Sequence, residues 1–475
     1  MNSRISAAPL TTAVTCCCLT LALCVTSAFA GSDTPIDQVP EWLTTQLGGD
    51  TTLVIANENA YARAVPTLPT EELRKFTFGN RLFNTNWVTA PASVDAFDGL
   101  GPVFNRVSCS SCHTRDGRGQ PPAAGEPLES MLIRISVPGQ TEHGGVRPVP
   151  HYGDQLNEKA IAGVPAEGRT VVTYWEREGR YPDGTTFSLA EPKYEFVELA
   201  FGALPPQFLF SPRVAPPVFG LGLLEAVPEE EILAHADEGD TNHDGVSGRP
   251  NRVWDVVSGK TCLGRFGWKA NQPGLRQQNA SAALGDIGLT SHLFPKQNVA
   301  EGQLAAAGAP DGGEPELKDE FFEKLTFYTQ VLAVPAARNV QDPGVRRGAR
   351  QFADIQCTAC HLPTLHTGTH SDVPQLSHQA IHPFTDLLLH DMGPALADGR
   401  PDFLASGSEW RTPPLWGVGL TEVVNRHSRF LHDGRARSLE EAVLWHGGEA
   451  DEARDRFMHL EARQREDLLT FLRNL

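Results

Sequence analysis

Long apolar runs, positive charge, tandem repeats and thioethers are all scarce in this chain. Beyond its first 30 residues, none of the 475 residues lies in an apolar run approaching the ~20 needed to cross a membrane, so a mature chain has no transmembrane span. Lys+Arg number 40 against 58 Asp+Glu, a formal net charge of −18. So acidic a chain repels phosphate backbones, which argues against nucleic acid as a partner. No self-similarity recurs at a period of about 20–50 residues, which excludes solenoids and propellers. Methionine numbers only four, and apart from Met1 the thioethers are Met131, Met392 and Met458. Apolar residues make up 40 % and charged residues 21 %, a globular balance that excludes disorder over the bulk of the chain.

Glycine (44) and proline (36) are plentiful, which reads as a loop-rich protein rather than a compact helical bundle. Residues 1–30 have the pattern of an export signal. Arg4 is their only charge, an apolar stretch with Leu19, Leu21, Leu23 and Val25 follows, and Ala28-Phe29-Ala30 has the small-x-small form of a cleavage site. The expected location is therefore periplasmic or otherwise exported. Helices are expected from Thr70, near Pro228–Leu233, over Glu316–Leu332 and after Asp342-Pro343, where Val345, Ala349 and Phe352 share one face. Ser438-Leu439-Glu440-Glu441 reads as a capping box opening a helix that reaches His446, and one final helix carries Phe457, Leu460, Leu468, Leu469 and Leu472. Residues 114–230 read as loops with short strands and short helices.

Four of the nine cysteines lie in the export segment, and four of the other five form two pairs, leaving Cys262, expected as a small buried residue. The pairs are Cys109-Ser110-Ser111-Cys112-His113 and Cys357-Thr358-Ala359-Cys360-His361. Cys-x-x-Cys-His is the pattern of c-type haem attachment. Two thiols three positions apart can bond the two vinyl-derived carbons of one haem, and the adjacent His then lies under the iron. A zinc site joining both pairs leaves the histidine after each pair unexplained. Two covalently attached haem c groups are therefore expected, on Cys109, Cys112 and His113, and on Cys357, Cys360 and His361. For the second iron's sixth ligand, Met392 and His446 are the rivals.

Further along, Arg411-Thr412-Pro413-Pro414-Leu415, Leu431-His432-Asp433-Gly434-Arg435 with Ser438-Leu439-Glu440-Glu441-Ala442-Val443, and Leu389-His390-Asp391-Met392-Gly393 follow one another. In these segments the chain resembles the bacterial di-haem cytochrome c peroxidase and MauG family, most of all its di-haem oxidoreductases labelled thiol oxidoreductases or peroxidases. The resemblance covers roughly 340–475 well, and 70–113 and 260–295 more thinly. It implies a sixth ligand for the second haem seven residues after Leu439, which is His446; Met392 falls where the family has no ligand. The family's Trp between the haems and its distal Gln correspond to Trp268, in Phe266-Gly267-Trp268-Lys269, and Gln278. Its distal Glu would fall on Gly288, and Asp286 is the nearest acid, so Asp286 is the candidate for moving a proton.

The resemblance implies a mainly α protein with extensive loops and short strands. It would have two cytochrome c-like haem domains: residues 31–335, enlarged by an insertion, and residues 336–475. Within the insertion, Asp240-Thr241-Asn242-His243-Asp244-Gly245-Val246 matches the start of a calcium loop, with Asp240, Asn242, Asp244 and the Val246 carbonyl as ligands; a solvated acidic turn is the other reading. The leading functional expectation is a peroxidase-like di-haem oxidoreductase. Its reactive haem would sit on His113 and its relay haem on His361 and His446, with hydrogen peroxide as oxidant and a redox protein as electron partner. The alternatives are an electron-transfer cytochrome, with His143, His151 or Met131 closing the first iron, and MauG-like oxidation of a partner protein or thiol.

Overall fold

The computed structural model describes residues 39–475; residues 1–30, expected to be an export signal, lie outside them. The helices from Thr70, near Pro228–Leu233, within Glu316–Leu332 and after Asp342 form where expected, but the long strands do not match expectation. β1 (Met131–Gln140) is the spine of an antiparallel sheet, flanked by β2 (Val146–Arg147), β3 (Gln155–Leu156) and β6 (Leu209–Val214). β4 (Arg169–Arg180) and β5 (Thr186–Val197) pair in unbroken register from Arg169↔Val197 to Arg180↔Thr186. Helix accounts for 27 % of the protein and strand for 19 %, which corrects the expectation of a mainly α protein with short strands. The cause lies in Arg169–Trp175. Its β-branched and aromatic residues alternate between the two faces, and Thr170 and Val172 are buried, a period-two pattern that suits strand rather than loop.

α1 (Thr70–Asn84) lies against α3 (Asp319–Gln330), with α2 (Leu275–Ala282) beside it. α1 and α3 approach so closely that a Cβ on Gly79 would stand 2.3 Å from the Lys324 carbonyl oxygen. α4 (Pro343–Asp354) starts at Asp342, whose Oδ1 accepts from the Gly344 and Val345 amides at 2.7 and 3.2 Å. Val345, Ala349 and Phe352 form its buried face, as their spacing predicts. α5 (Leu439–Leu444) opens at Ser438, whose hydroxyl accepts from the Glu441 amide at 3.0 Å. The single final helix is corrected to two, α6 (Asp451–His459) and α7 (Ala462–Asn474). Leu460 turns to extended backbone, and Glu461 with Gln464 forms a capping box that restarts the helix.

The largest apolar cluster runs from Leu47 to Leu475 and draws on both halves of the sequence. A second gathers around β1 and β6 and includes Trp268 and Trp410. Cys262 pairs opposite Val253 in a hairpin and is half-buried, which corrects its placement in the core.

α4 crosses α7 with Gly348 at the contact, where an added Cβ would meet the Asp467 carbonyl at 2.0 Å. Arg347 locks the same crossing with two bonds to the Asp467 carboxylate, at 2.7 and 2.8 Å. Gly348→Ala must push the helices apart, so a loss of about 1–3 kcal/mol is expected by denaturant unfolding. Arg346→Ala on the same helix is the control and should cost much less.

Candidate functional site

Each Cys-x-x-Cys-His segment folds as a tight turn on the wall of its own cavity. Cys109–Ser111 and Cys357–Ala359 are single 3₁₀ turns, after which the His113 amide bonds the Cys109 carbonyl at 3.0 Å and the His361 amide bonds the Cys357 carbonyl at 2.9 Å. The turn points two sulfurs and an imidazole into the same space. The first cavity, about 240 Å³, is lined by Cys109, Cys112, His113, Met131, Trp268, Gln278 and Asp286 among others. The second, about 210 Å³, is lined by Cys357, Cys360, His361, Met392, His446 and again Trp268.

The two proximal imidazoles are held alike. His113 Nδ1 lies 2.7 Å from the Pro216 carbonyl and His361 Nδ1 lies 3.0 Å from the Phe384 carbonyl. A carbonyl can only accept, so Nδ1 carries the proton and Nε2 keeps its lone pair. Burial pulls both rings down to about 4, so they are neutral at physiological pH. Burial likewise pushes Cys109, Cys112 and Cys357 up to about 12 and raises Cys360, so the four thiols are uncharged. Neutral imidazoles with a free Nε2, thiols beside them and apolar walls form a donor set that fits a c-type haem in each cavity.

The far walls differ. In the second cavity, His446 Nδ1 is bonded to the Ala442 carbonyl at 2.7 Å and its ring faces His361 with centroids 6.5 Å apart. Two imidazole–metal bonds of about 2 Å, with each centroid about 1 Å behind its ligating nitrogen, add to roughly 6 Å. The pair therefore has the spacing of two axial ligands. Met392 lines the same cavity but is half-buried and packs between the two apolar clusters. In the first cavity, His113 is the only histidine among the described lining residues, and Met131 the only methionine. His143 instead stacks on Trp254 at 3.8 Å and His151 bonds the Glu301 carbonyl, so neither lines that cavity.

Trp268 lines both cavities. Its Nε1 donates to the Val214 carbonyl at 2.9 Å, and its own carbonyl accepts from the Arg411 amide at 2.9 Å. Gln278 reaches the first cavity from α2. Asp286 reaches it from the Ala283–Ile287 turn that continues α2. Asp286 Oδ1 accepts from Gln155 Nε2 at 2.9 Å, and burial raises its pKa although Arg134 and Gln155 pull it down. Gln155 and Arg134 were invisible to sequence reasoning because β1 and β3 bring them to Asp286 from far along the chain. Arg118, which lines both cavities, carried no signal either; Arg411, also on both walls, lies in the Arg411–Leu415 segment.

Asp244 and Val246 of the Asp240–Val246 loop line the second cavity. Asp240 Oδ1 accepts from the Gly245 amide, Asn242 Oδ1 from the Asp244 amide and Asp244 Oδ1 from the Val246 amide, at 3.2, 2.9 and 2.9 Å. Among the described residues, no cluster of three or more His, Cys, Asp or Glu side chains has the arrangement of a metal site. No helix among them is long and apolar enough to cross a membrane.

The family described as "Di-haem oxidoreductase, putative peroxidase" matches residues 43–475. No curated protein matches the sequence. Among solved structures the chain is similar to hydrazine synthase of Kuenenia stuttgartiensis, pressurised with 20 bar xenon. The identity is 14 %, over 86 % of this chain and 94 % of that chain, with a TM-score of 0.31, too distant to carry a structural argument.

His446 depends on the helix that presents it. Ser438→Ala removes the N-cap of α5 and should cost about 1 kcal/mol of stability in denaturant unfolding. Ser438→Asp keeps a capping oxygen and should recover most of that loss.

Proposed function

The chain belongs to the di-haem oxidoreductase family, and we propose that it is an exported, peroxidase-like enzyme with a reactive haem in the first cavity and a relay haem in the second. The observation that carries this reading is the asymmetry of the far walls: His446 faces His361, whereas no second histidine faces His113 among the described residues. A haem supplies reversible one-electron chemistry when two histidines hold its iron, and peroxide cleavage when one axial position is open. The net reaction consumes hydrogen peroxide, two protons and two electrons and yields two waters. A redox protein is the proposed electron donor.

In this reading His113 and His361 would each hold an iron through Nε2, and His446 would be the second protein ligand of the relay iron. Cys109, Cys112, Cys357 and Cys360 carry the covalent thioethers. Gln278 orients peroxide with its amide. Asp286 takes a proton from one peroxide oxygen and delivers it to the other, with Gln155 holding the carboxylate in place. Trp268 bridges the electron path between the cavities. We propose residues 31–335 and 336–475 as the two haem-bearing units. Export is supported by the 1–30 segment and by the attachment motifs, which are loaded outside the cytoplasm in bacteria. For the Asp240–Val246 loop the proposed ligand is a calcium ion, supported by its residue pattern and by the one Asp240 carboxylate oxygen left over from the backbone bonds; both Asp244 oxygens are bonded within the loop, Oδ1 to the Val246 amide and Oδ2 to Asn242 Nδ2 at 3.1 Å. Met131, on the wall of the first cavity, is what keeps the electron-transfer cytochrome as the second reading.

Optical and EPR spectra of the purified haem-loaded protein decide between them. One low-spin haem and one high-spin haem that responds to hydrogen peroxide are expected. Two low-spin haems inert to peroxide would replace the enzyme with an electron carrier. His446→Ala should turn the low-spin signal high-spin, while Met392→Leu should leave it unchanged. Asp286 must be ionised to accept a proton, and its pKa is raised above the ordinary 3.8. Turnover should therefore rise with pH through a limb lying above that value. Asp286→Asn should abolish the limb and Asp286→Glu should keep it.

A further inference from the structure

Two buried arginines stand on the wall that the cavities share, and neither has a carboxylate partner. Arg118 and Arg411 each line both cavities, and each is 8 % exposed. Arg118 donates to the carbonyls of Arg429, at 2.7 Å, and Leu431. Arg411 donates to the carbonyls of Gly267 and Thr412, both at 3.0 Å. Among the described residues no carboxylate oxygen lies within salt-bridge distance of either, and one terminal nitrogen of each guanidinium, Arg118 Nη1 and Arg411 Nη2, has no protein acceptor. The carboxylates that act on them from further off are already engaged: Asp433 with Arg435 at 2.8 Å, and Asp386 with His390 at 2.8 Å.

A buried guanidinium bonded only to carbonyls keeps its full charge without a counter-ion; that of Arg118 lies over the Trp268 ring at 5.2 Å, and that of Arg411 bonds the neighbouring Gly267 carbonyl. Burial pulls both arginines down to about 10, the direction expected of cations short of anions. The missing partner must be anionic, must sit inside the cavities, and must suit a planar fork of N–H donors. Carboxylate meets all three demands. Resting on the di-haem reading, we propose that Arg118 and Arg411 are the counter-charges of the haem propionates along the shared wall, and that they set the reduction potentials of both haems together. A c-type haem bound by its vinyl-derived carbons to the cysteine turns has its two propionates on the opposite edge of the ring, the only carboxylates it carries.

An iron gains an electron more readily beside a cation, so removing one lowers the potential. Arg118→Gln and Arg411→Gln should each reduce the equilibrium constant for reduction of both haems at least about tenfold, a fall of about 59 mV for one electron. Arg118→Lys and Arg411→Lys should fall between these and the unaltered protein. Potentiometric titration followed optically reads both haems at once. Haem content is measured on the same samples by pyridine haemochrome. Two haems per chain with reduction equilibrium constants changed less than about tenfold would overturn the assignment and leave the di-haem reading intact, whereas an unaltered protein without two haems would end that reading itself. Variants that do not load haem leave a second measurement decisive. In the unaltered protein with carboxylate-¹³C-labelled haem, redox-difference infrared spectra at pH 5 should show ionised propionates. Protonated carboxyl bands there would overturn the pairing.

Discussion

A hydrogen bond from Nδ1 of a buried imidazole to a backbone carbonyl is the constraint on which both cavities depend. Without it, each ring could turn in its cavity and present either nitrogen. With it, the proton is committed to Nδ1 and the Nε2 lone pair is left as the only ligand the ring can offer. The acceptors come from remote segments. Pro216 lies just past the end of β6, and Phe384 lies 23 residues beyond His361. The five-residue motif therefore supplies the chemistry but not its aim. For His113 the aim comes from the strand insertion, because β6 is held against β1 in a six-residue register that ends at Met131↔Val214, two residues before Pro216. The sheet that overturned the helical expectation is also the support of the first histidine.

The β4–β5 ribbon braces the helix beside the second cavity. Glu441, in the first turn of α5, accepts from the Ala190 amide of β5 at 2.6 Å, and its other oxygen accepts from Arg437. Tyr181, at the turn of the ribbon, donates to Glu440 at 2.7 Å, and Arg465 of α7 bonds Asp183 in that turn at 2.6 Å. The helix presenting His446 is thus clamped on its first turn by the ribbon; it ends at Leu444 with Trp445 as its C-cap, which corrects its expected run to His446. An imidazole at the end of so short a helix would otherwise fray with it. Holding it 6.5 Å from His361 requires the far contacts as much as the local cap.

What was legible in the sequence was local. Cys-x-x-Cys-His occupies five residues, the caps at Asp342 and Ser438 act over three, and the apolar face of α4 repeats within one helix. Each is decided by neighbours a few positions away, so each can be read without the fold. The position of His446 was legible through resemblance, by its distance from Leu439, and that of Trp268 likewise. What escaped was decided across the chain. The pairing of Arg169–Arg180 with Thr186–Val197 has an alternating signal, but glycine and proline on either side suggested loops. Gln155 meets Asp286 across 131 positions, and Arg118 reaches Trp268 only because Asn425 and the carbonyls of Arg429 and Leu431 bring it there. No spacing rule connects such residues. The break at Leu460 was missed for a different reason: apolar spacing continued across it, and only the Glu461–Gln464 capping box marks the new start.

Trp268 shows how these remote contacts combine. Its indole nitrogen is held by the Val214 carbonyl, its backbone carbonyl by the Arg411 amide, and its ring face by the Arg118 guanidinium at 5.2 Å. A side chain fixed on three sides has little freedom to reorganise, which suits a residue proposed to pass electrons between two sites. The same three contacts carry an electrostatic cost. A cation over the ring opposes any positive charge developing on it, and a second buried arginine on the same wall adds to that opposition. The arrangement favours electron passage only if anions offset the guanidinium charges. The demand for counter-charge and the demand for an electron path therefore converge on one strip of wall, and whatever fills the two cavities has to satisfy both.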